Sequence, residues 1–253
     1  MAAAWRAENN RTDVVAAFGV CRRCFTCSIA SVVSLVRFPD SRLLVFAKAP
    51  VLGRVKTRLI PLLGEQGALD FHIASIRLAL EQRVAMQLSP VVLALKGQAP
   101  VWLTELCQQL SIEVVHQQGA DLGERMLHAA TEQLSQAQSV VLTGTDCLTL
   151  TSDRLTQLYQ ALEDNDAVII GAEDGGYVAL GLKQSSAALF TQFPFGNAQV
   201  YKRTMDAMRT LDWRYVELAK TWDVDRPEDI QRWIKGAFPQ GENSWYESLK
   251  AVS

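Results

Sequence analysis

An apolar run, Leu43 to Ala47, stops abruptly at a polar segment that carries one glycine, Gly53, and four cations, Lys48, Arg54, Lys56 and Arg58. From Glu65 to Leu88 apolar residues (Leu69, Ile73, Ile76, Leu80, Val84) then recur every three or four positions, the spacing of a helix with one buried face. Strand, cationic glycine-containing loop and helix in succession is how α/β proteins hold phosphate. Backbone N–H groups and fixed cations meet the anion at the mouth of the sheet. A solvated basic loop would look the same locally, so the weight falls on what the rest of the chain places beside it.

The rhythm continues. Val91–Leu95, Ile112–Val115, Val140–Leu142 and Ala167–Ile170 are short apolar runs, separated by helical patterns from Pro100 to Leu110, Leu122 to Leu134 and Ser152 to Leu162. Val178–Leu182 reads as a further strand, residues 198–211 as a helix, and Tyr215–Leu218 as extended. Asp225-Arg-Pro-Glu-Asp229 opens a last helix reaching Lys235. Continuously apolar strands are buried on both faces. Their alternation with helices predicts an α/β fold: a three-layer α/β/α sandwich around a mostly parallel sheet. Neither repeat nor linker interrupts this pattern, so residues 41–236 are expected to form one domain, followed by a Gly-, Pro- and polar-rich tail over 237–253.

Residues 1–40 lack the rhythm. Cys21, Cys24 and Cys27 have metal-ligand spacing, but no fourth cysteine or histidine follows nearby. The short apolar run after Arg22 and Arg23 lacks a small-residue cleavage site. This segment is expected to be a disordered extension or the product of a misplaced start codon. Cys107 and Cys147 lie far apart, which suits a reducing cytoplasm. With 25 basic and 27 acidic side chains the net charge is −2, which gives no electrostatic case for nucleic acid. Any phosphate it binds is small and locally gripped. No apolar run reaches the roughly 18 residues that span a bilayer, so no membrane partner is expected.

Three more polar clusters fall beyond strands, where open α/β sheets bind ligands. Gly144-Thr145-Asp146-Cys147 places a carboxylate at the sheet edge. Asp146 there could cap a helix, or bind Mg²⁺ or Mn²⁺ that bridges phosphate oxygens. Asp225 or Asp223 could supply a second carboxylate, although Asp225 with Glu228 also makes a good capping box. Asp121-Leu-Gly123-Glu124-Arg125 opens a helix. An Arg in that first turn opposes the helix dipole and suggests an acidic partner. Asp174-Gly175-Gly176-Tyr177 makes a tight turn whose glycines let a ligand approach the backbone. His72, His116 and His128 have no metal spacing and read as structural or superficial. The sequence has neither a Gly-x-Ser-x-Gly elbow nor a Walker loop.

Phe46–Leu59, Gln117–Met126, Gly144–Leu150, Asp174–Tyr177 and Asp223–Asp229, in this order, resemble the motifs of a bacterial family of small glycosyltransferase-A-fold proteins. These are relatives of 2-phospho-lactate guanylyltransferases and molybdenum-cofactor nucleotidyltransferases, and some look like sugar transferases of arsenosugar biosynthesis. The resemblance covers about residues 42–235. It implies a glycosyltransferase-A fold and a nucleotide site in which Gly53, Lys56 and Arg58, flanked by Lys48 and Arg54, hold phosphates. Asp146 would bind Mg²⁺ or Mn²⁺, with Asp225 completing the site and Asp223 beside it. Asp121, Gly123, Glu124, Arg125, Thr145, Asp174, Gly175, Gly176 and Tyr177 would shape the nucleotide and acceptor pockets. Lys56, Arg58 and Asp146 are the expected catalytic groups. The chain departs from the pattern at Leu52 and Leu148, where relatives carry proline, and at Phe195-Gly-Asn197, where they often carry Trp-Gly-Thr or Trp-Gly-Ser.

Three functions follow as expectations. The first is a metal-dependent glycosyltransferase using a nucleotide-sugar and a small-molecule acceptor. The second is a nucleotidyltransferase releasing pyrophosphate from an NTP. The third is a nucleotide-binding protein without turnover. The compact phosphate loop tilts the reading toward sugar transfer.

Overall fold

The computed structural model describes residues 36–191, 195 and 198–236. The Cys21–Cys27 cluster, Gly196-Asn197 and the tail beyond Gly236 lie outside them. In chain order the elements are β1 (Ser41–Lys48), a 3₁₀ turn (Thr57–Leu59), α1 (Ile60–Ala85), β2 (Val91–Lys96), α2 (Val101–Gln109), β3 (Glu113–His116) and α3 (Leu122–Leu134). These are followed by β4 (Ser139–Gly144), α4 (Ser152–Asp164), β5 (Ala167–Ala172), β6 (Tyr177–Leu182), α5 (Val200–Thr210), β7 (Tyr215–Thr221) and α6 (Pro227–Gly236), with a second 3₁₀ turn at Ala187–Leu189.

The seven strands form one sheet in the order β3-β2-β1-β4-β6-β5-β7. β1 pairs parallel with β2 and β4, β2 with β3, and β5 with β7. β6 runs antiparallel to both its neighbours. The expected three-layer, mostly parallel architecture is therefore present. The antiparallel strand arises because the four-residue turn Glu173–Gly176 leaves no room for the crossover that parallel pairing needs.

Alternate residues of β1 face opposite layers. Leu43, Val45 and Ala47 pack with Ile76 and Leu80 of α1, Leu103 of α2 and Leu155 of α4. Leu44 and Phe46 pack with Met126 and Ala129 of α3 and Met205 and Met208 of α5. A third cluster of Leu59, Phe71, Leu148, Val224, Ile230 and Trp233 lies where α6 closes against α1.

α1 starts five residues before the expected Glu65. Gly64 has φ 70° and interrupts the helical geometry, so a short first segment meets the long amphipathic one at a kink. Residues 37 and 38, assigned by sequence to the extension, are held by the domain. Arg37 N donates to Gln87 O at 3.0 Å and Phe38 N to Leu88 O at 2.7 Å. The Phe38 ring stacks on Tyr159 with centroids 4.7 Å apart. The N-terminal boundary of the packed unit therefore lies no later than Arg37.

The strand order reverses between β1 and β4, the place where such sheets open a crevice beyond their carboxyl ends. α3 reaches that rim closely because Gly123 has no side chain. A Cβ there would sit 1.9 Å from Phe190 O. Gly123→Ala must push the helix away from the 187–191 turn. It is expected to destabilise the domain by more than the roughly 1–3 kcal/mol typical of overpacking, and urea unfolding measures it.

Candidate active site

Lys56 is the centre of the site. It has φ 45° and ψ 41°, a left-handed conformation that costs a non-glycine residue about 1 kcal/mol or more. The turn drives its side chain inward, where it is 3% exposed. Nζ donates to Val224 O. It lies 2.9 Å from Asp146 Oδ1 and 3.9 Å from Asp225 Oδ1. It also stands 5.8 Å from the centroid of Phe71, whose ring meets Trp233 edge-on. The contact with Asp146 Oδ1 is an ion pair, and that buried oxygen accepts no hydrogen bond. Arg58 pairs through Nη1 with Asp225 Oδ2 and is itself mostly exposed.

Asp225 does not form the capping box that its spacing with Glu228 suggests. Asp229 caps instead, its Oδ2 accepting from Asp225 N at 3.1 Å and Arg226 N at 2.7 Å. The Asp225 carboxylate is thus released to face Lys56 and Arg58. Asp146 and Val224 are joined by the Val224 N to Asp146 O bond of 3.1 Å. Leu148 N donates to Asp146 O at 3.1 Å. A proline at that position could not make this bond, so the leucine lets the loop be held by hydrogen bonding.

A cavity of about 390 Å³ opens beside these groups. Phe46, Leu142, Met126 and Val178 form apolar walls, and Arg58, Asp174, Asp223 and Arg226 supply its charge. Gly144, Gly176, Tyr177 and Phe195 also line it. Burial pushes the Asp223 carboxyl up to about 6, with further upward pressure from Asp174 and Asp146. Burial raises the Tyr177 phenol as well, and its hydroxyl points to Met126 Sδ at 3.7 Å. Asp174 Oδ1 accepts from Gly176 N at 2.9 Å, which shapes the turn. Gly175, at φ 92°, carries no side chain because a Cβ would meet Ala198 O at 2.2 Å. Glu173 forms a bidentate pair with Arg232, whose guanidinium lies over Trp222, and so ties this turn to α6.

The other expected site residues serve the loops themselves. Asp121 Oδ1 accepts from Glu124 N at 2.9 Å and Glu124 Oε2 from Ala120 N at 2.8 Å, a reciprocal cap of α3. Arg125 has no acidic partner among the described residues. Its Nη1 donates to Gly119 O and Ala120 O, so it satisfies loop carbonyls. Gly53 has φ 69°. Lys48 and Arg54 are exposed on the same rim and make no ion pair among the described residues. Thr145 is buried. His72 is buried, its Nε2 meeting Lys48 O at 3.0 Å, while His116 and His128 are superficial.

Two residues escaped the sequence reading. Arg226 lines the cavity with an exposed guanidinium. Arg83 is 1% exposed and donates to Cys147 O at 2.8 Å and Leu150 O at 2.9 Å, clamping the loop that follows Asp146. The signal was present: Arg83 lies three residues after Leu80, on the face that Ile76 and Leu80 mark as buried.

Asp146, Asp223 and Asp225 offer hard oxygen donors, the chemistry that Mg²⁺ and Mn²⁺ require. Asp146 Oδ1, which accepts no hydrogen bond and has only its ionic contact with Lys56, fits such an ion, and so does the crowding of Asp146, Asp174 and Asp223. No trio of His, Cys, Asp or Glu among the described residues already encloses a metal-sized space.

Comparisons with known proteins agree with the fold. Residues 79–197 match a family described as "Uncharacterized protein conserved in bacteria (DUF2064)". A candidate nucleotide-diphospho-sugar transferase from Desulfovibrio desulfuricans G20 superposes with a TM-score of 0.75 at 26% identity, over 84% of this chain and 94% of that one. 4-Diphosphocytidyl-2C-methyl-D-erythritol synthase from Anaerococcus prevotii DSM 20548 gives a TM-score of 0.51 at 10% identity, over 76% and 95%. No curated protein sequence matches the chain. The architecture is the nucleotide-diphospho-sugar transferase α/β fold.

Arg83→Met removes two donors from buried carbonyls but also removes a buried charge. A net loss of roughly 1–3 kcal/mol is expected in chemical denaturation, because unsatisfied buried carbonyls outweigh the relief. Asp223 behaves oppositely. Its raised pKa means that ionising it costs the folded state. The penalty begins near the unfolded value of about 4, grows as pH rises, and is complete above about 6. Asp223→Asn should therefore melt higher than the wild type at pH 7.5, with the gap closing as pH falls toward 4.

Proposed function

We propose that this chain is a transferase that binds a nucleoside diphosphate-sugar at the β1–β4 crevice and passes the sugar to a small acceptor. The observation that carries the reading is the meeting of Lys56, Arg58, Asp146 and Asp225 at the switch point of the sheet, beside a cavity large enough for a sugar or acceptor. The likeness to the D. desulfuricans protein supports a transferase of this general class.

Lys56 and Arg58 donate to the diphosphate oxygens and stabilise the charge that grows on them as the sugar leaves. A Mg²⁺ or Mn²⁺ ion held by Asp146 and Asp225 would add charge neutralisation at the same oxygens. The apolar walls exclude water from the transfer. Asp223 and Asp174 accept hydrogen bonds from hydroxyl groups in the cavity, and the Tyr177 and Phe195 rings, T-shaped at 6.4 Å, give the ligand an aromatic surface. Arg226 at the lip suits an anionic end of donor or acceptor. We place this chemistry in the cytoplasm, where nucleotide-sugars are made. Residues 37–236 form the catalytic domain.

Nucleotidyl transfer is the second reading, supported at the level of fold by 4-diphosphocytidyl-2C-methyl-D-erythritol synthase. The same cations would then face an α-phosphate under attack, with pyrophosphate leaving.

Product analysis separates them, with nucleoside diphosphate marking the first and pyrophosphate the second. In either case Asp146→Ala is expected to lower metal-dependent turnover by roughly 100-fold or more in a protein that still melts cooperatively. Undiminished turnover in that variant would remove Asp146 from the mechanism.

A further inference from the structure

Lys56 holds the place between Asp146 and Asp225 that a divalent ion would need. Its ammonium is 2.9 Å from one carboxylate and 3.9 Å from the other. This is no loose surface lysine. Its side chain is 3% exposed, its backbone is held left-handed, and its remaining partners are Val224 O and the face of Phe71. Arg58 occupies the other oxygen of Asp225. In the free protein these two cations offset two carboxylates, and Asp223 and Asp174 stand close by.

We infer that Lys56 and the divalent metal are mutually exclusive partners of Asp146, so that the site accepts its metal only together with a diphosphate. A metal arriving alone would bring a double positive charge into a compact, partly desolvated cluster that already contains two cations. It would also leave the buried ammonium facing that charge without a counter-ion. A nucleoside diphosphate removes both obstacles. It brings the missing negative charge, and its oxygens give Lys56 a new partner once it leaves Asp146. The lysine thus acts as an internal stand-in for the metal. It keeps Asp146 and Asp225 from repelling each other and releases them when the anion takes it over. The inference rests on the metal–nucleotide reading of the site, and it reverses the usual expectation for a phosphate-binding lysine, because removing Lys56 should strengthen metal binding.

The test is calorimetric titration of the full chain with Mn²⁺ alone, then with Mn²⁺ in the presence of saturating UDP, GDP, CDP or ADP. The wild type is compared with Lys56→Met, which keeps the length and apolar stem, and with Lys56→Gln. Melting curves confirm that each variant is folded. Both variants are expected to bind Mn²⁺ alone about tenfold or more tightly than the wild type. Adding Asp146→Asn to Lys56→Met should erase that gain. With the diphosphate that binds, the wild type should take up Mn²⁺ at least as well as the variants. Equal or weaker binding of Mn²⁺ alone by two folded variants overturns the inference, and so does a gain that survives Asp146→Asn. If the variants gain as expected but none of the nucleotides alters Mn²⁺ affinity in the wild type, the exclusion of metal by Lys56 stands and the nucleotide reading of the site falls.

Discussion

A buried ammonium cannot stay charged without partners, and the site is built around supplying them to Lys56. Each partner comes from a different part of the chain. Asp146 leaves β4, Val224 and Asp225 follow β7, and Phe71 lies on α1. The lysine therefore pins the β1–α1 loop to both carboxylate-bearing segments. The third core cluster is the floor beneath it, where Leu59, Leu148, Val224 and Trp233 keep water away from one side. Exclusion of water strengthens the ion pair, and the ion pair holds together the loops that exclude the water. The left-handed backbone of Lys56 is the local strain this arrangement tolerates.

Much of this was legible in the residues. Strands such as Val91–Leu95 and Val140–Leu142 declare themselves because residues buried on both faces are apolar without interruption. The cationic loop and Asp146 declare themselves because charge next to such strands must lie at the rim. The antiparallel β6 was not legible, since Val178–Leu182 is as apolar as the parallel strands elsewhere in the sheet and only the shortness of the Glu173–Gly176 turn betrays its direction. Gly64 falls just before the expected helix start at Glu65, yet it marks a kink within the helix, because a glycine looks the same in sequence whether it stops a helix or bends it. Asp225 shows the limit most clearly. Its spacing with Glu228 is that of a capping box, and only three dimensions show Asp229 taking the cap and leaving Asp225 for the site.

Several motif residues that look like ligand contacts are occupied in holding loops. Asp121 and Glu124 cap α3, and Arg125 fastens the two carbonyls before it. Gly123 and Gly175 lack side chains because Phe190 O and Ala198 O occupy the space. Arg83 works from the opposite layer, on the loop behind Asp146, and Thr149 continues its work by donating to Trp222 O at 2.8 Å. A motif so dense in polar residues thus divides into a few groups that face the crevice and a larger number that fix where those few point.

The two cations of the site differ in a way that suits different tasks. Lys56 is a compact charge on a four-carbon stem, small enough to fit between carboxylates. Arg58 is 58% exposed and presents a planar fork toward the crevice mouth, shaped for two oxygens of one phosphate. Salt in solution screens the pair of Arg58 with Asp225, whose cation is 58% exposed, more than the contact of Asp146 with the 3% exposed Lys56. On the proposed reading, the outer cation is the one an arriving diphosphate would capture first. The inner one would change partners only after the anion had entered and water had left, which would make occupation by a diphosphate, rather than by metal alone, the event that rearranges the site.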